Sequence, residues 1–112
     1  MIYTITAIHV TEQTGDMAVA AITSDRCFGY FLTQSEAIEA VEKNLGAMDE
    51  CSYYTYIVVE SISPGINGSI NQIAWYQWTY FGSNRNGWIK LENPPDVAAG
   101  TYGFCQIGRA HV

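Results

Sequence analysis

Hydrophobic and polar residues alternate near the start of the chain as they do in a half-buried β-strand. Residues 2–10 mix Ile, Tyr and Val with Thr, and this pattern predicts a first strand. The residues 14–16 (Thr-Gly-Asp) are a turn signal, and the apolar stretch 17–22 predicts a second strand. Polar residues at 23–26 interrupt this second strand, which resumes at 27–31.

A helix follows, and its start is the clearest local signal in the sequence. Thr33 and Glu36 predict a capping box, in which the Thr33 hydroxyl accepts the Glu36 amide and the Glu36 carboxylate reaches back to the Thr33 amide. Apolar residues then recur with helical spacing, at Ala37, Ile38, Ala40, Val41 and Leu45. Because Asn44 and Gly46 are typical of a helix end, the helix is predicted over about 33–46.

The second half of the chain predicts more strands. Residues 53–62 are rich in aromatic and β-branched residues, which favours a strand at the centre of the sheet with two apolar faces. Residues 73–81 and 88–92 predict a hairpin, because a polar loop that ends in Asn86-Gly87 joins them. A last short strand is predicted at 102–107.

These elements together predict the fold class. Short loops join antiparallel neighbours, and one helix can cover one face of such a sheet. We therefore predict an α+β fold, a mostly antiparallel sheet of about five strands with one helix (about 33–46) packed on one face. The length of 112 residues fits a single domain, 1–112.

Charge and apolar run length exclude two classes of partner. The net charge is -6 and only 14% of residues are charged, which argues against general nucleic-acid binding because a phosphate backbone needs clustered Lys and Arg. The apolar runs are far shorter than the ~20 residues of a membrane span. The N-terminus lacks the pattern of a signal peptide, so a cytoplasmic location is expected.

Three cysteines, Cys27, Cys51 and Cys105, carry no Cys-x-x-Cys spacing. An odd number without that spacing indicates neither a disulfide framework nor a zinc site. We therefore interpret them as free, partly buried thiols in a reducing cytoplasm, and we expect no metal and no cofactor.

Catalytic motifs are missing from the sequence, which has no Ser–His–Asp order and no phosphate-binding P-loop. Glu60 ends an apolar strand; solvation at the strand end is expected, and a buried Glu60 would need a partner. We predict that the protein is not an enzyme. A small hydrolase that uses Glu60, His9 or His111 is an alternative.

Aromatic residues and arginines are the candidate binding groups. The aromatic candidates lie on the predicted hairpin: Trp75, Tyr76, Trp78, Tyr80 and Trp88. Residues two apart share a strand face, so Tyr76 and Trp78 face opposite to Trp75. One set can pack under the helix, and the other would be covered by a partner subunit, a ligand or the C-terminal segment; alternatively both sets are core.

Arg26, Arg85 and Arg109 are three of the five basic residues and fall in predicted loops or termini. A base stacked on Trp or Tyr, with an Arg fork on a phosphate, would make a nucleotide site. Scattered, solvated arginines are the other interpretation.

Three groups of motifs carry a resemblance over most of the chain. They are residues 27–31 before 33–37, residues 56–66, and Trp75-Tyr76-Gln77-Trp78 followed by 90–94 and 104–108. This pattern is similar to a family of small proteins carried by phages and prophages. The resemblance implies a function by binding, in which such proteins cap host enzymes, occupy defence complexes or sequester signalling nucleotides.

The sequence thus predicts a small cytoplasmic, non-enzymatic, phage-type binding protein that inhibits or sequesters a host anti-phage target. Its partner would be a host defence protein or a small signalling nucleotide, and the protein would be a homo-oligomer. A structural subunit that assembles only with copies of itself is the alternative.

Overall fold

Five antiparallel strands form one sheet in the computed structural model, which describes residues 1–13, 19–50, 53–66, 69–81, 85–98 and 103–104. The strands are β1 (Ile2–Gln13), β2 (Val19–Phe31), β3 (Tyr56–Ile62), β4 (Ile70–Phe81) and β5 (Arg85–Leu91). Their order across the sheet is β2-β1-β3-β4-β5, and each neighbouring pair is antiparallel. The predicted α+β class with a five-stranded antiparallel sheet is confirmed.

Strand β2 is continuous, although the sequence predicts two pieces separated by polar residues 23–26. Its pairing with β1 shifts register between Ile5 and Thr6 and again between His9 and Val10. Such bulges let a strand keep its pairing while it bends, so a polar stretch need not break it. Gly103 and Phe104 lie outside any strand, so the predicted strand at 102–107 is wrong at the two residues that the structure describes.

The single α-helix in the described chain, α1 (Gln34–Glu42), begins at the predicted cap. Thr33 Oγ1 accepts the Glu36 N–H at 3.3 Å and donates to the Glu36 carboxylate at 2.7 Å, so the return bond goes to the Thr33 hydroxyl and not to its amide. The helix ends before the predicted residue 46, because Asn44 adopts a left-handed backbone with φ 48°. In the parts of the chain that are described, no helix is long and apolar enough to span a bilayer.

One buried cluster joins α1 to one face of the sheet, here called the helix-side face. The helix contributes Ala37, Ala40 and Val41. Alternate strand residues complete the cluster, among them Ile5, Ala7, Ile57, Val59, Ala74, Tyr76 and Trp88. Leu45, which the sequence assigns to the apolar stripe, is 53% exposed because the helix ends before it.

A second buried cluster lies on the other side of the strands, here called the C-terminal face. Its buried members are Ile8, Val58, Trp75 and Ala98, and the last comes from the segment after β5. The strand alternation therefore sends Trp75 to the C-terminal face and its neighbour Tyr76 to the helix-side face.

Candidate functional site

After β5 the chain turns back across the C-terminal face and does not continue the sheet. Pro94 and Pro95 lack the N–H that a strand ladder requires, so pairing ends there. A 3₁₀ turn at Asp96–Ala98 follows, and the Ala98 N–H donates to the Pro95 carbonyl at 2.9 Å. Asn93 and Pro94 of this crossing segment line two surface clefts, which form the candidate site.

Glu60 lies at the centre of the sheet, under residues 103 and 104, here called the C-terminal segment. Its side chain is 0% exposed. The carboxylate accepts the backbone N–H of Gly103 at 2.7 Å and that of Phe104 at 3.0 Å. The expected solvation of Glu60 at the strand end is therefore wrong, because the C-terminal segment excludes water and two main-chain amides replace it.

The ring of Phe104 packs edge-on against Trp75, with centroids 5.7 Å apart and planes at 88°. Trp75 is only 3% exposed, and its indole N–H donates to Gln72 Oε1 at 3.1 Å. The sequence leaves open whether a partner subunit, a ligand or the C-terminal segment covers the rings on this face. At Trp75 the structure shows the C-terminal segment, through Phe104. The aromatic excess on this face is thus at least partly internal.

A first cleft, here called the Lys90 cleft, has a volume of about 550 Å³. Strands β4 and β5 and the residues that follow β5 line it. Trp75 and Leu91 belong to the C-terminal face, whereas Lys90 lies opposite Tyr76 and so belongs to the helix-side face, which places this cleft around the end of β5. Lys90 and Glu92 supply its charges, whereas the amides of Gln72 and Asn93 supply neutral donors and acceptors. Its lining comprises Gln72, Ile73, Ala74, Trp75, Lys90, Leu91, Glu92, Asn93 and Pro94.

A second cleft, here called the Tyr56 cleft, has a volume of about 620 Å³ and lies on the other side of Asn93 and Pro94. It shares Leu91, Asn93 and Pro94 with the Lys90 cleft, so the two clefts flank one segment of chain. Its lining comprises Val10, Thr55, Tyr56, Gln77, Leu91, Asn93, Pro94, Pro95, Asp96 and Val97.

The aromatic candidates are mostly core residues. Tyr76 is 1% exposed and Trp88 is 6% exposed, both in the helix-side cluster. Trp78 is half-buried beside Trp88, with ring centroids 5.1 Å apart. Tyr80 lies in β4, and its side chain is outside the described residues. Among these rings, only Trp75 lines a described cleft.

Arg26 is the one arginine candidate whose side chain the structure describes, and it lies far from the aromatic candidates on β4 and β5. Arg26 lies on β2, where its guanidinium pairs with Glu50 and sits 4.6 Å from the centroid of the Phe28 ring. Four strand spacings separate β2 from β5, a distance of about 19 Å. Arg85 lies at the start of β5 with its side chain outside the described residues, and Arg109 is outside them altogether.

His9 is held on β1 by Tyr53. Its Nδ1–H donates to the Tyr53 carbonyl at 2.6 Å, and the two rings stack with centroids 4.1 Å apart. Thr4 pairs with Glu60, and His9 is five residues further along β1, so His9 and Glu60 are about 17 Å apart. They do not form an acid–base pair. His111 lies outside the described residues.

Two buried tyrosines have perturbed ionisation. Burial raises the pKa of Tyr76 above the ordinary 10.0, with a smaller contribution from the negative charge of Glu42. Burial also raises the pKa of Tyr54, and the charge of Glu50 adds to this effect. Both phenols are therefore held neutral in the folded protein, as core groups are.

Cys27 is disulfide-bonded. Its partner lies outside the described residues, as do Cys51 and Cys105. The interpretation of three free thiols is therefore wrong at Cys27. That interpretation rested on the odd number of cysteines and on the missing Cys-x-x-Cys spacing. A disulfide requires only that two cysteines are close in space, so neither observation excludes one.

Comparisons with known proteins identify no relative. No family model matches the chain, and neither a curated protein nor a solved structure matches it. Within the residues that the structure describes, no group of three or more His, Cys, Asp or Glu side chains could hold a metal ion.

Sequence reasoning missed most residues of the two clefts. Gln72, Gln77, Lys90 and Asn93 bear ordinary polar side chains and belong to no motif. The one available signal was Asn93-Pro94-Pro95, which shows that the chain leaves the sheet after β5. It does not show that the chain then crosses the face that carries Trp75.

Proposed function

We propose that this protein is a non-enzymatic binding protein that captures a small nucleotide in the two clefts that flank Asn93 and Pro94. In keeping with the resemblance to phage and prophage proteins, the nucleotide would be a host signalling molecule and the binding would be an anti-defence sequestration. The host cytoplasm is the compartment in which such capture would occur.

The observation that carries this proposal is the pair of clefts of about 550 and 620 Å³ on either side of Asn93 and Pro94. Small-molecule sites span roughly 300–1,000 Å³, and each cleft falls within this range. We take these volumes as favouring a small ligand over a host protein.

The lining supports a nucleotide of low charge. Leu91 offers apolar surface to a base, and Gln77 and Asn93 offer amide groups that can read its hydrogen-bonding edge. Lys90 is the cation of the Lys90 cleft and would meet a phosphate, whereas Glu92 would disfavour a highly charged polyphosphate. The acidic chain gives such a ligand no long-range attraction, so recognition would be local.

Thermal unfolding with a panel of cyclic and ADP-ribose-type nucleotides tests the proposal. A nucleotide present at 100 times its Kd should add about 2.7 kcal/mol to the stability of the native state. Lys90→Met should reduce this gain, whereas Lys43→Met should not, because Lys43 is an exposed lysine on the helix side that pairs with Glu39. Absence of a shift with every nucleotide would refute sequestration.

The Cys27 disulfide bears on the compartment. Structural disulfides are rare in a reducing cytoplasm, so the cysteines no longer support that location. Thiol counting on protein drawn directly from expressing cells, quenched with acid before alkylation, tests it. A cytoplasmic protein should show Cys27 reduced, and a fully formed disulfide in the quenched cells would contradict the proposed location.

A further inference from the structure

Ile66 is the most exposed large apolar residue in the described chain, at 96%. It follows Pro64 and Gly65 in the connection between β3 and β4, where Gly65 has φ 109°. Residues 61–84 contain no Asp, Glu, Lys or Arg. The connection therefore presents an isoleucine side chain on an uncharged stretch of an otherwise acidic protein.

An apolar pocket of about 150 Å³ opens beside the end of α1. Leu45 lines it and is 53% exposed, so the pocket reaches the surface there. Its other lining residues are Ile5, Phe28, Phe31, Ala40, Gly46 and Met48. A dry cavity of about 150 Å³ holds a molecule the size of benzene, and the four-carbon side chain of isoleucine is smaller.

The connection that carries Ile66 and the pocket lie at the same end of the sheet. Ile62 pairs with Ile2, and Phe31 pairs with the next residue, Tyr3. Strands β3 and β2 are two spacings apart, so Ile62, the last strand residue before the connection, and Phe31 are separated sideways by about 10 Å. Leu32, next to Phe31 in the chain, is 72% exposed and extends the apolar surface at this end.

We propose that this end of the sheet is a self-association surface, in which Ile66 of one copy inserts into the apolar pocket of a second copy. Because both features lie at one end, a two-fold axis lets the second copy return the same contact, and the assembly closes as a dimer. Residues 61–84 bring no charge to the Ile66 side of this contact. The inference goes beyond the proposed nucleotide binding, which uses clefts that share no lining residue with this pocket.

Solution mass tests this surface. Light scattering coupled to gel filtration should give twice the chain mass of 12.4 kDa for the unmodified protein. Ile66→Glu and Leu45→Glu should each give the monomer. Ile89→Glu is the matched control, because Ile89 is 44% exposed on the edge strand β5 and lies outside the pocket, and it should stay dimeric.

A charge exchange separates loss of contact from loss of fold. Ile66→Lys and Leu45→Glu should each dissociate the dimer, whereas the double variant should restore it, because each lysine then meets a glutamate of the other copy. An unmodified chain that remains monomeric at every concentration overturns the proposal. So does an Ile66→Glu variant that stays dimeric, or a double variant no more associated than the single ones.

Discussion

The carboxylate of Glu60 accepts the backbone N–H of Gly103 at 2.7 Å, in a position where the Glu60 side chain has no solvent exposure. The adjacent amide of Phe104 binds the other carboxylate oxygen at 3.0 Å. A carboxylate on a central strand thus fixes residues 103 and 104 to the C-terminal face. The Phe104 ring packs on Trp75, which lines the Lys90 cleft, so the bonds to this carboxylate hold a neighbour of the candidate site in place.

Replacing Glu60 with Gln should destabilise the fold. The amide nitrogen of Gln cannot accept a backbone N–H, so one of the two bonds is lost and a buried donor is left without its acceptor. We expect a loss of about 1–3 kcal/mol in urea unfolding. Glu39→Gln is the control, since Glu39 is an exposed helix residue whose bridge to Lys43 is screened by water and should contribute little to the stability. Equal effects of the two substitutions would contradict the role given to Glu60.

Asn44 joins the end of α1 to strand β5. Its Oδ1 accepts the indole N–H of Trp88 at 3.1 Å, and its Nδ2 donates to Asp49 at 3.0 Å. Asn44→Gly keeps the left-handed backbone and removes only these bonds, so we expect a loss of about 1–3 kcal/mol in the free energy of unfolding. In a double-mutant cycle with Trp88→Phe, the two losses should not add, because each removes the same bond. Full additivity would show that the bond contributes nothing.

Alkaline pH should destabilise the protein through its buried tyrosines. Tyr76 has a folded-state pKa raised above 10.0, so the unfolded chain loses this proton first as the pH rises. The stability is complete below pH 10, and it falls as the pH rises from there through the raised pKa, by at most about 1.4 kcal/mol per pH unit for this group. Tyr76→Phe should flatten the decline in urea unfolding between pH 9 and 11 (roughly one unit either side of the ordinary tyrosine value). An unchanged slope would contradict the burial of this phenol.

Thr33 should stabilise α1 by capping its first turn. Thr33→Ala removes the acceptor of the Glu36 N–H, and the expected loss is about 1 kcal/mol in the free energy of unfolding. Thr33→Ser keeps the hydroxyl and should retain most of the stability. If Ser and Ala lower the stability equally, the cap bond is not the cause.

The sequence predicts the elements that depend on neighbouring residues, namely the start of α1 and the strands. The start of α1 follows from Thr33 and Glu36, and the strands follow from their β-branched and aromatic residues. The end of α1 was misjudged because Leu45 is apolar, although the backbone of Asn44 ends the helix before it. Apolar periodicity alone cannot distinguish a buried residue from an exposed one just beyond the helix.

Contacts between distant parts of the chain could not be predicted in this way. Glu60 and Gly103 are 43 residues apart, and nothing near Glu60 in the sequence shows that it is buried. The same holds for the clefts, since Lys90 and Gln72 meet only because β4 and β5 pair and the chain then turns across them. The sequence indicates Trp75 as a candidate because of its aromatic side chain. The polar residues around Trp75 are recognisable only once the fold is known.

The central claim is that a small nucleotide binds in the clefts that flank Asn93 and Pro94, and an NMR titration of the amide resonances tests it most directly. A binding nucleotide should shift the amides of Gln77, Lys90, Leu91 and Asn93 while leaving those of α1 unchanged. Absence of shifts with every nucleotide of the panel, or shifts confined to α1 and the helix-side face, would contradict it.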